Sequence, residues 1–183
     1  MNKLIFLCSF FIFFANLAHA QENINLQLAE EYYDNGEFEK AIELYDKLAK
    51  KKSYVYAIHK KYSDAMLRLE QYTKAEKYLK KQVKVYPLDG MFNVDYGILL
   101  RRMKREADAD KHFDAFIDKI KKDDMKLRYA ARFFISSGLY KEAEKLYKEG
   151  QKYSERDFSY DLGNLYAASG QTSKMINQYL EIL

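Results

Sequence analysis

The chain has 183 residues, of which 48% are apolar or aromatic and 32% are charged, with 31 basic and 27 acidic side chains. This length suits one ordinary domain, and a net charge of +4 is too small to indicate a nucleic-acid-binding protein. Only one proline and seven glycines occur, which favours a chain made mostly of helices.

Residues 1–20 form a segment unlike the rest of the chain. Lys3 is its only charge, an apolar run follows from Leu4 to Leu17, and the small residues of Ala18-His19-Ala20 suit a signal peptidase. This run is shorter than the stretch of about 20 residues that a helix needs to cross the hydrocarbon core of a bilayer. We therefore predict a cleavable signal peptide, a mature chain that starts at Gln21 and a periplasmic or secreted location.

Cys8 is the single cysteine, and it lies inside the predicted signal. No small-residue cleavage site precedes it, so we do not predict a lipoprotein. The mature chain would then contain no cysteine, which excludes disulfides, thiol catalysis and thiolate metal sites. No later apolar stretch approaches membrane length, so we predict no membrane span after signal cleavage.

One position recurs along the chain at equal intervals, and it is occupied by Ala41, Ala75, Ala109 and Ala143. Met175 takes the equivalent place in a fifth copy, after a slightly shorter interval. The surrounding order of residue types recurs too, as segments 36–45 (GEFEKAIELY) and 138–147 (GLYKEAEKLY) show. The period of about 34 residues is typical of proteins built from stacked two-helix units.

This pattern resembles the tetratricopeptide repeat family. The first copy has the family's small residue, aromatics, turn glycine and alanine at Ala29, Tyr32, Gly36, Phe38, Ala41 and Tyr45. Pro87 falls where the family favours proline, whereas Glu70 and Lys104 replace the turn glycine and Glu106 replaces an aromatic. The resemblance covers residues 22–183, and the predicted repeats are approximately 22–55, 56–89, 90–123, 124–155 and 156–183.

The resemblance implies an all-α fold, a right-handed α-solenoid of stacked antiparallel helix pairs with five repeats, the last incomplete. Helical periodicity within the copies supports the same fold, since apolar residues fall on one face of each predicted helix. The apolar pattern continues up to Leu183, with no polar capping helix. We therefore expect further repeats, another domain or a partner beyond that point.

Residues able to carry chemistry are few, so we predict a protein that is not an enzyme and that uses no cofactor or metal. Only His59 and His112 remain after cleavage, on different repeats, and we expect both at the surface or at a groove edge. No metalloprotease, serine-hydrolase or phosphate-loop motif occurs. Two acidic pairs are interpreted as solvated helix ends rather than a cation site, namely Asp108 with Asp110 and Asp123 with Asp124.

The resemblance also implies a concave groove lined by the first helix of each pair. Basic and aromatic residues at or beside the groove positions form the candidate partner-binding set: Lys60, Lys61, Arg68, Arg101, Arg102, Arg128, Arg132, Tyr33 and Tyr160. Acidic residues occupy the flanking copies at Glu30, Asp34, Asp157 and Asp161, which predicts a positive middle and negative ends.

Arginine offers a planar fork for carboxylates, so the basic middle favours a protein or peptide partner with an acidic segment. The other interpretation is that these side chains only solvate exposed helix faces. Lys60 matches the family's carboxylate-clamp subgroup, but Asp64 and Asp95 would repel a terminal carboxylate. The acidic segment is therefore expected near Arg101 and near Arg128 and Arg132 further along the groove.

We predict a non-catalytic interaction scaffold or adaptor of the periplasm or cell envelope that binds a partner segment in the groove. An alternative is the exported sensor region of a larger membrane signalling protein whose remaining domains lie beyond residue 183. A third is an exported enzyme with a later catalytic domain, which no residue of this chain supports.

Overall fold

A computed structural model describes residues 21–181 of the chain. The predicted signal peptide with Cys8, and the last two residues Ile182 and Leu183, lie outside the described residues. Within residues 21–181 the regular structure consists of ten α-helices and one short 3₁₀-helix, without strands. The predicted all-α class is confirmed.

The helices follow one another through short turns. Their bounds are α1 (21–34 within the described part), α2 (Phe38–Leu48), a 3₁₀-helix (Lys52–Tyr54), α3 (Val55–Arg68), α4 (Tyr72–Val85), α5 (Gly90–Arg102), α6 (Glu106–Ile120), α7 (Asp124–Ser136), α8 (Tyr140–Gln151), α9 (Ser159–Ala168) and α10 (Thr172–Leu180).

The chain divides into two compact units, the first ending at Ala75 and the second beginning at Glu76, inside α4. In the first unit α2 packs against α3. In the second unit α5 pairs with α6, α7 with α8 and α9 with α10. There α5 also packs against α7, and α8 packs against α9, so consecutive helix pairs stack on one another. This arrangement is the predicted repeat of helical hairpins.

Two of the acidic residues discussed above have defined structural roles at the start of α7. Asp123 is its N-cap, where the carboxylate accepts a hydrogen bond from the Lys126 backbone N–H at 3.1 Å. A carboxylate at this position satisfies a backbone N–H that has no partner within the helix. Asp124 accepts a hydrogen bond from the Ser154 hydroxyl at 2.8 Å.

The turn inside each hairpin needs a left-handed backbone, whether or not glycine is present. Gly36 and Gly138 have φ of 78° and 71°. Glu70 and Lys104 occupy the corresponding turns with φ of 55° and 59°, although their Cβ atoms make this conformation about 1–2 kcal/mol less favourable. The hairpin geometry is therefore kept in the two copies that lack the turn glycine.

Close packing inside a hairpin depends on small residues at the helix crossing. A Cβ atom at Gly97 of α5 would lie 2.1 Å from the ring of Phe113 in α6, a distance that no side chain tolerates. The Phe113 ring in turn meets Phe134 of α7 edge-on, with centroids 5.3 Å apart. Gly97 thus allows an aromatic core that joins two successive hairpins of the second unit.

The expectation that both histidines lie at the surface or at a groove edge is wrong for His59. His59 is fully buried, because it lies on the same face of α3 as the buried Val55, Tyr62 and Met66. His112 is half-buried, with its Nε2 atom 3.0 Å from the Asn93 carbonyl oxygen. The position of His59 one turn from apolar residues is a sequence signal that predicts burial.

Candidate binding cleft

The second unit contains a cleft of about 590 Å³ whose main wall is one face of α7. Its lining residues are Met125, Lys126, Arg128, Tyr129, Arg132, Tyr147 and Asp161. Four of them, at 125, 128, 129 and 132, follow the i, i+3, i+4, i+7 spacing that places side chains on one helix face. Helix α8 contributes Tyr147 and α9 contributes Asp161, so the stacking of two hairpins creates the cleft.

The charges of the cleft are only partly compensated. Arg128 Nε lies 3.4 Å from Asp161 Oδ1, and Arg156 Nε lies 3.9 Å from the other carboxylate oxygen. The Arg132 guanidinium lies over the Tyr129 ring, 5.5 Å from its centroid, and no carboxylate among residues 21–181 pairs with it. The guanidinium groups of Arg132 and of the half-exposed Arg128 are therefore available in the cleft to an external anion.

Apolar and aromatic groups surround these charges. Met125 is 82% exposed and Tyr129 is 37% exposed, and the Tyr129 ring packs edge-on against Phe133. A flexible thioether and an exposed ring are surfaces that adapt to a partner's apolar side chain. Burial and the nearby Asp161 carboxylate raise the pKa of Tyr147 to about 12, so its phenol keeps its proton.

Three of the four candidate residues of the first unit, Tyr33, Lys61 and Arg68, are engaged with carboxylates of the same unit. Lys61 Nζ lies 2.8 Å from Asp34 Oδ1 and 5.3 Å from the centroid of the Tyr33 ring. Arg68 pairs with Asp64, which also accepts a hydrogen bond from the Tyr33 hydroxyl. Burial and the Asp64 carboxylate raise the pKa of Tyr33. The cations of this cluster are therefore largely compensated by carboxylates of the same unit.

Arg101 does not line the cleft, because it faces the second helices of two hairpins instead. Its guanidinium contacts the carboxylates of Asp110, Glu106 and Glu142, and its side chain is only 27% exposed. These contacts, which we call the Arg101 clamp, compensate the positive charge that we expected Arg101 to contribute to the groove.

The other candidates stay outside the cleft. Lys60 and Arg102 are exposed, and no carboxylate within the described residues pairs with either. Tyr160 is 65% exposed, with its ring 6.1 Å from that of Tyr179.

The structure thus brings together two of the sequence candidates, Arg128 and Arg132. It adds Met125, Tyr129 and Tyr147, which were not among the sequence candidates. Met125 and Tyr129 share the helix face of Arg128, a spacing that the sequence already contained. Asp161, expected at a separate acidic end, lies beside Arg128 because α9 packs on α8.

Two further features of the described residues bear on the kind of site. No group of three His, Cys, Asp or Glu side chains within 21–181 is placed to hold a metal ion. Among the described helices, none combines the length and apolar character that crossing a membrane requires.

Stacked two-helix hairpins with a mixed basic and aromatic cleft define a helical-repeat protein, a class whose members typically act as protein-binding scaffolds rather than catalysts. The family model for the tetratricopeptide repeat matches residues 26–81, so this part of the chain carries a tetratricopeptide-repeat sequence. No curated protein sequence matches the chain at a significant level.

Several solved structures of repeat proteins resemble the chain. MamA from Desulfovibrio magneticus is 13% identical, with a TM-score of 0.46 over 88% of this chain and 92% of that one. PilF from Pseudomonas aeruginosa is 17% identical, with a TM-score of 0.46 over 88% and 74%. YrrB, described as having an unusual peptide-binding site, is 17% identical, with a TM-score of 0.41 over 84% and 80%. Identities and TM-scores this low say nothing about what the chain binds.

Proposed function

We propose that the protein is a non-catalytic scaffold of the periplasm or cell envelope that binds an acidic, partly apolar segment of a partner protein. The observation that carries this proposal is the cleft on α7, where Arg128 and Arg132 lie on the same helix face as Met125 and Tyr129. The guanidinium groups offer forked donors to carboxylates, and the thioether and ring offer apolar contact. An extended or helical peptide with both kinds of side chain suits this surface.

The position of Asp161 leaves both arginines of the cleft able to bind a ligand carboxylate. Its side chain is only 12% exposed, so its carboxylate orients Arg128 rather than facing the solvent. A ligand carboxylate would share Arg128 with Asp161 and take Arg132 for itself. Acidic ligands that also bury an apolar group should therefore bind more tightly than simple polyanions.

The test is selection of short peptides from a random display library on the purified protein. Selected peptides should be rich in Asp and Glu beside a large apolar residue. Binding should fall at least about 100-fold in R128E/R132E, because two charge-assisted contacts of roughly 1.5–3 kcal/mol each are lost. R102E is the control for a single charge reversal, since Arg102 is exposed and lies outside the cleft.

Retention of full affinity in R128E/R132E, or an equal loss in R102E, would remove the cleft from the proposal. Selection of peptides without acidic residues would contradict the proposed ligand chemistry. Circular dichroism of the variants checks that the substitutions, all at helix surfaces, leave the fold intact.

The location is proposed from residues 1–20 of the sequence alone, whose charge, apolar run and small residues are those of a cleavable signal. Cleavage after Ala20 would leave Gln21 as the first residue. The mass of the protein isolated from the periplasmic fraction of an expressing bacterium checks this expectation, and a mass that includes residues 1–20 would contradict it.

A further inference from the structure

Helix α4 carries an unusual concentration of lysine within the second unit. Between Glu76 and Val85 it contains four lysines and a single carboxylate. At 3.6 residues per turn, Lys77, Lys81 and Lys84 fall on one face, directed away from the buried Leu79. All three are exposed, and they extend over about 10 Å of helix.

These three lysines are not neutralised by their surroundings. The only carboxylate of this part of α4, Glu76, pairs with Lys80 at 2.9 Å and with Arg105 at 2.7 Å. Both cations lower the pKa of Glu76. Within residues 21–181 no carboxylate pairs with the three lysines of this face.

The acidic helix of the next hairpin does not compensate them either. Asp114 and Asp118 of α6 pair with other lysines, Asp114 with Lys145 at 2.6 Å and Asp118 with Lys121 at 2.8 Å. The lysine stripe on α4, formed by Lys77, Lys81 and Lys84, therefore keeps its positive charges available to an external anion.

Exposed apolar residues adjoin the end of the stripe. Val85 is 41% exposed and Leu88, three residues further on, is 39% exposed. Lysines beside apolar side chains on a helix surface are the combination by which proteins attach to the headgroup region of anionic bilayers.

The residue types distinguish between possible anionic partners. Lysine is a compact point charge on a flexible stem and has no planar fork for bidentate recognition of carboxylates or bases. The only aromatic residue between 76 and 85 is Tyr78, which is buried, so no ring on this face can stack on a nucleic-acid base. A surface of diffuse negative charge fits the stripe better than an acidic peptide or a nucleic acid.

We propose that the Lys77–Lys81–Lys84 face of α4 is a peripheral docking surface for a bilayer of anionic phospholipid. The lysines attract the phosphate headgroups, and the exposed side chains of Val85 and Leu88 enter the outer headgroup layer. This surface is separate from the α7 cleft and takes a different ligand, so the loss of either activity leaves the other measurable.

Helix α8 and its C-cap provide a matched control. The exposed lysines Lys145, Lys148 and Lys152 have nearly the same spacing, but each is paired with a carboxylate at 2.6 Å. The triple variants K77Q/K81Q/K84Q and K145Q/K148Q/K152Q thus remove equal formal charge from exposed helix faces. Only the first removes charges that lack a partner.

The experiment is cosedimentation of the purified protein with vesicles of phosphatidylcholine and phosphatidylglycerol mixed seven to three, and with pure phosphatidylcholine vesicles. Low salt is used, because surface charges are then little screened. The expected result is binding to the anionic vesicles only. Partitioning should be about 100-fold weaker in K77Q/K81Q/K84Q, because each lysine near an anionic surface contributes about fivefold. The α8 variant should bind within about threefold of the parent, because its lysines are already paired.

Three results would overturn the proposal. The first is that the parent protein does not bind the anionic vesicles. The second is that both triple variants lose vesicle binding equally. The third is that the parent and the α4 variant bind the phosphatidylglycerol-containing vesicles equally well. Binding to heparin that is tighter than to the vesicles and lost in the same α4 variant would also overturn it, because the stripe would then bind a soluble polyanion.

Discussion

His112 is a titratable side chain that the packing of α5 on α6 keeps in its neutral form. Its ring meets Tyr96 edge-on at 4.9 Å, and its Nε2 atom is bonded to the Asn93 carbonyl. Burial lowers the pKa of His112 below its ordinary value of 6.5, which outweighs the effect of that hydrogen bond. The unfolded chain therefore takes up a proton at a higher pH than the folded protein does.

This difference predicts a pH dependence of stability in a defined window. The contribution of neutral His112 is fully present above pH 6.5 and is lost as the pH falls towards the lowered pKa of the folded state. H112Q should reduce the loss of unfolding free energy between pH 7.5 and 5.5, by at most about 1.4 kcal/mol per pH unit. Urea unfolding of both proteins at the two pH values measures it.

Two carboxylates with lowered pKa values, Asp118 and Asp123, do not titrate in the pH range in which His112 does. Ion pairing with Lys121 and Lys126 lowers the pKa of Asp118 and Asp123 below 3.8, so these groups stay ionised at pH 5.5. His59 is present in both proteins and cancels in the comparison. Identical pH dependence in the parent and in H112Q would contradict the assignment.

At the scale of the helices, Arg101 links three elements of the second unit. It belongs to α5, and its guanidinium contacts Asp110 of α6 at 3.0 Å and Glu142 of α8. It also lies over the Phe113 ring, 5.2 Å from the centroid. Glu142 is only 14% exposed, so removal of the arginine would leave a mostly buried carboxylate without its main partner.

Substitution R101Q should therefore lower the unfolding free energy by about 1–3 kcal/mol, the usual cost of leaving a buried acceptor without its hydrogen-bond partner. The adjacent R102Q is the control, since Arg102 is exposed and an ordinary surface change costs at most about 0.5 kcal/mol. Chemical denaturation of both variants provides the comparison. If the two variants lose equal stability, the clamp does not stabilise the stacking of α5, α6 and α8.

The helical hairpins were predictable because their signal is local and repeated. Regularly spaced alanines and apolar residues on one helix face determine where helices begin and which face they bury. The turns of Glu70 and Lys104 show that the repeat context decides the backbone even where the residue disfavours it. The prediction for His59 was wrong, because His59 lies one turn from Val55 on the buried face of α3.

At the scale of the whole molecule, charge is distributed by helix rather than evenly. Residues 76–85 of α4 carry four lysines and one acid, whereas α6 carries five acids and two lysines. Counting such charges from the sequence identifies rich and poor helices. It does not show that Lys145, Lys148 and Lys152 are paired while three lysines of α4 are not, and the proposed membrane surface depends on that difference.

The residues of the candidate site were likewise only partly predictable from the sequence. The sequence predicted that Arg128 and Arg132 share one candidate face because helical spacing is a property of the local chain. It also assigned Arg101 to that face, although Arg101 is held by carboxylates nine and 41 residues away. Contacts at such separations depend on how hairpins stack, and periodicity carries no information about which charges meet there.

Local order in the sequence is enough to specify the helices, their pairing and the recurring two-helix hairpin, since a constant period and one apolar face per helix need no distant contact. Which charges remain available for binding depends on packing instead. Stacking of α8 and α9 on α7 placed Asp161 beside Arg128 and left Arg132 over Tyr129. An ion pair requires side chains of different helices to approach within about 3–4 Å, and only the tertiary structure sets such distances.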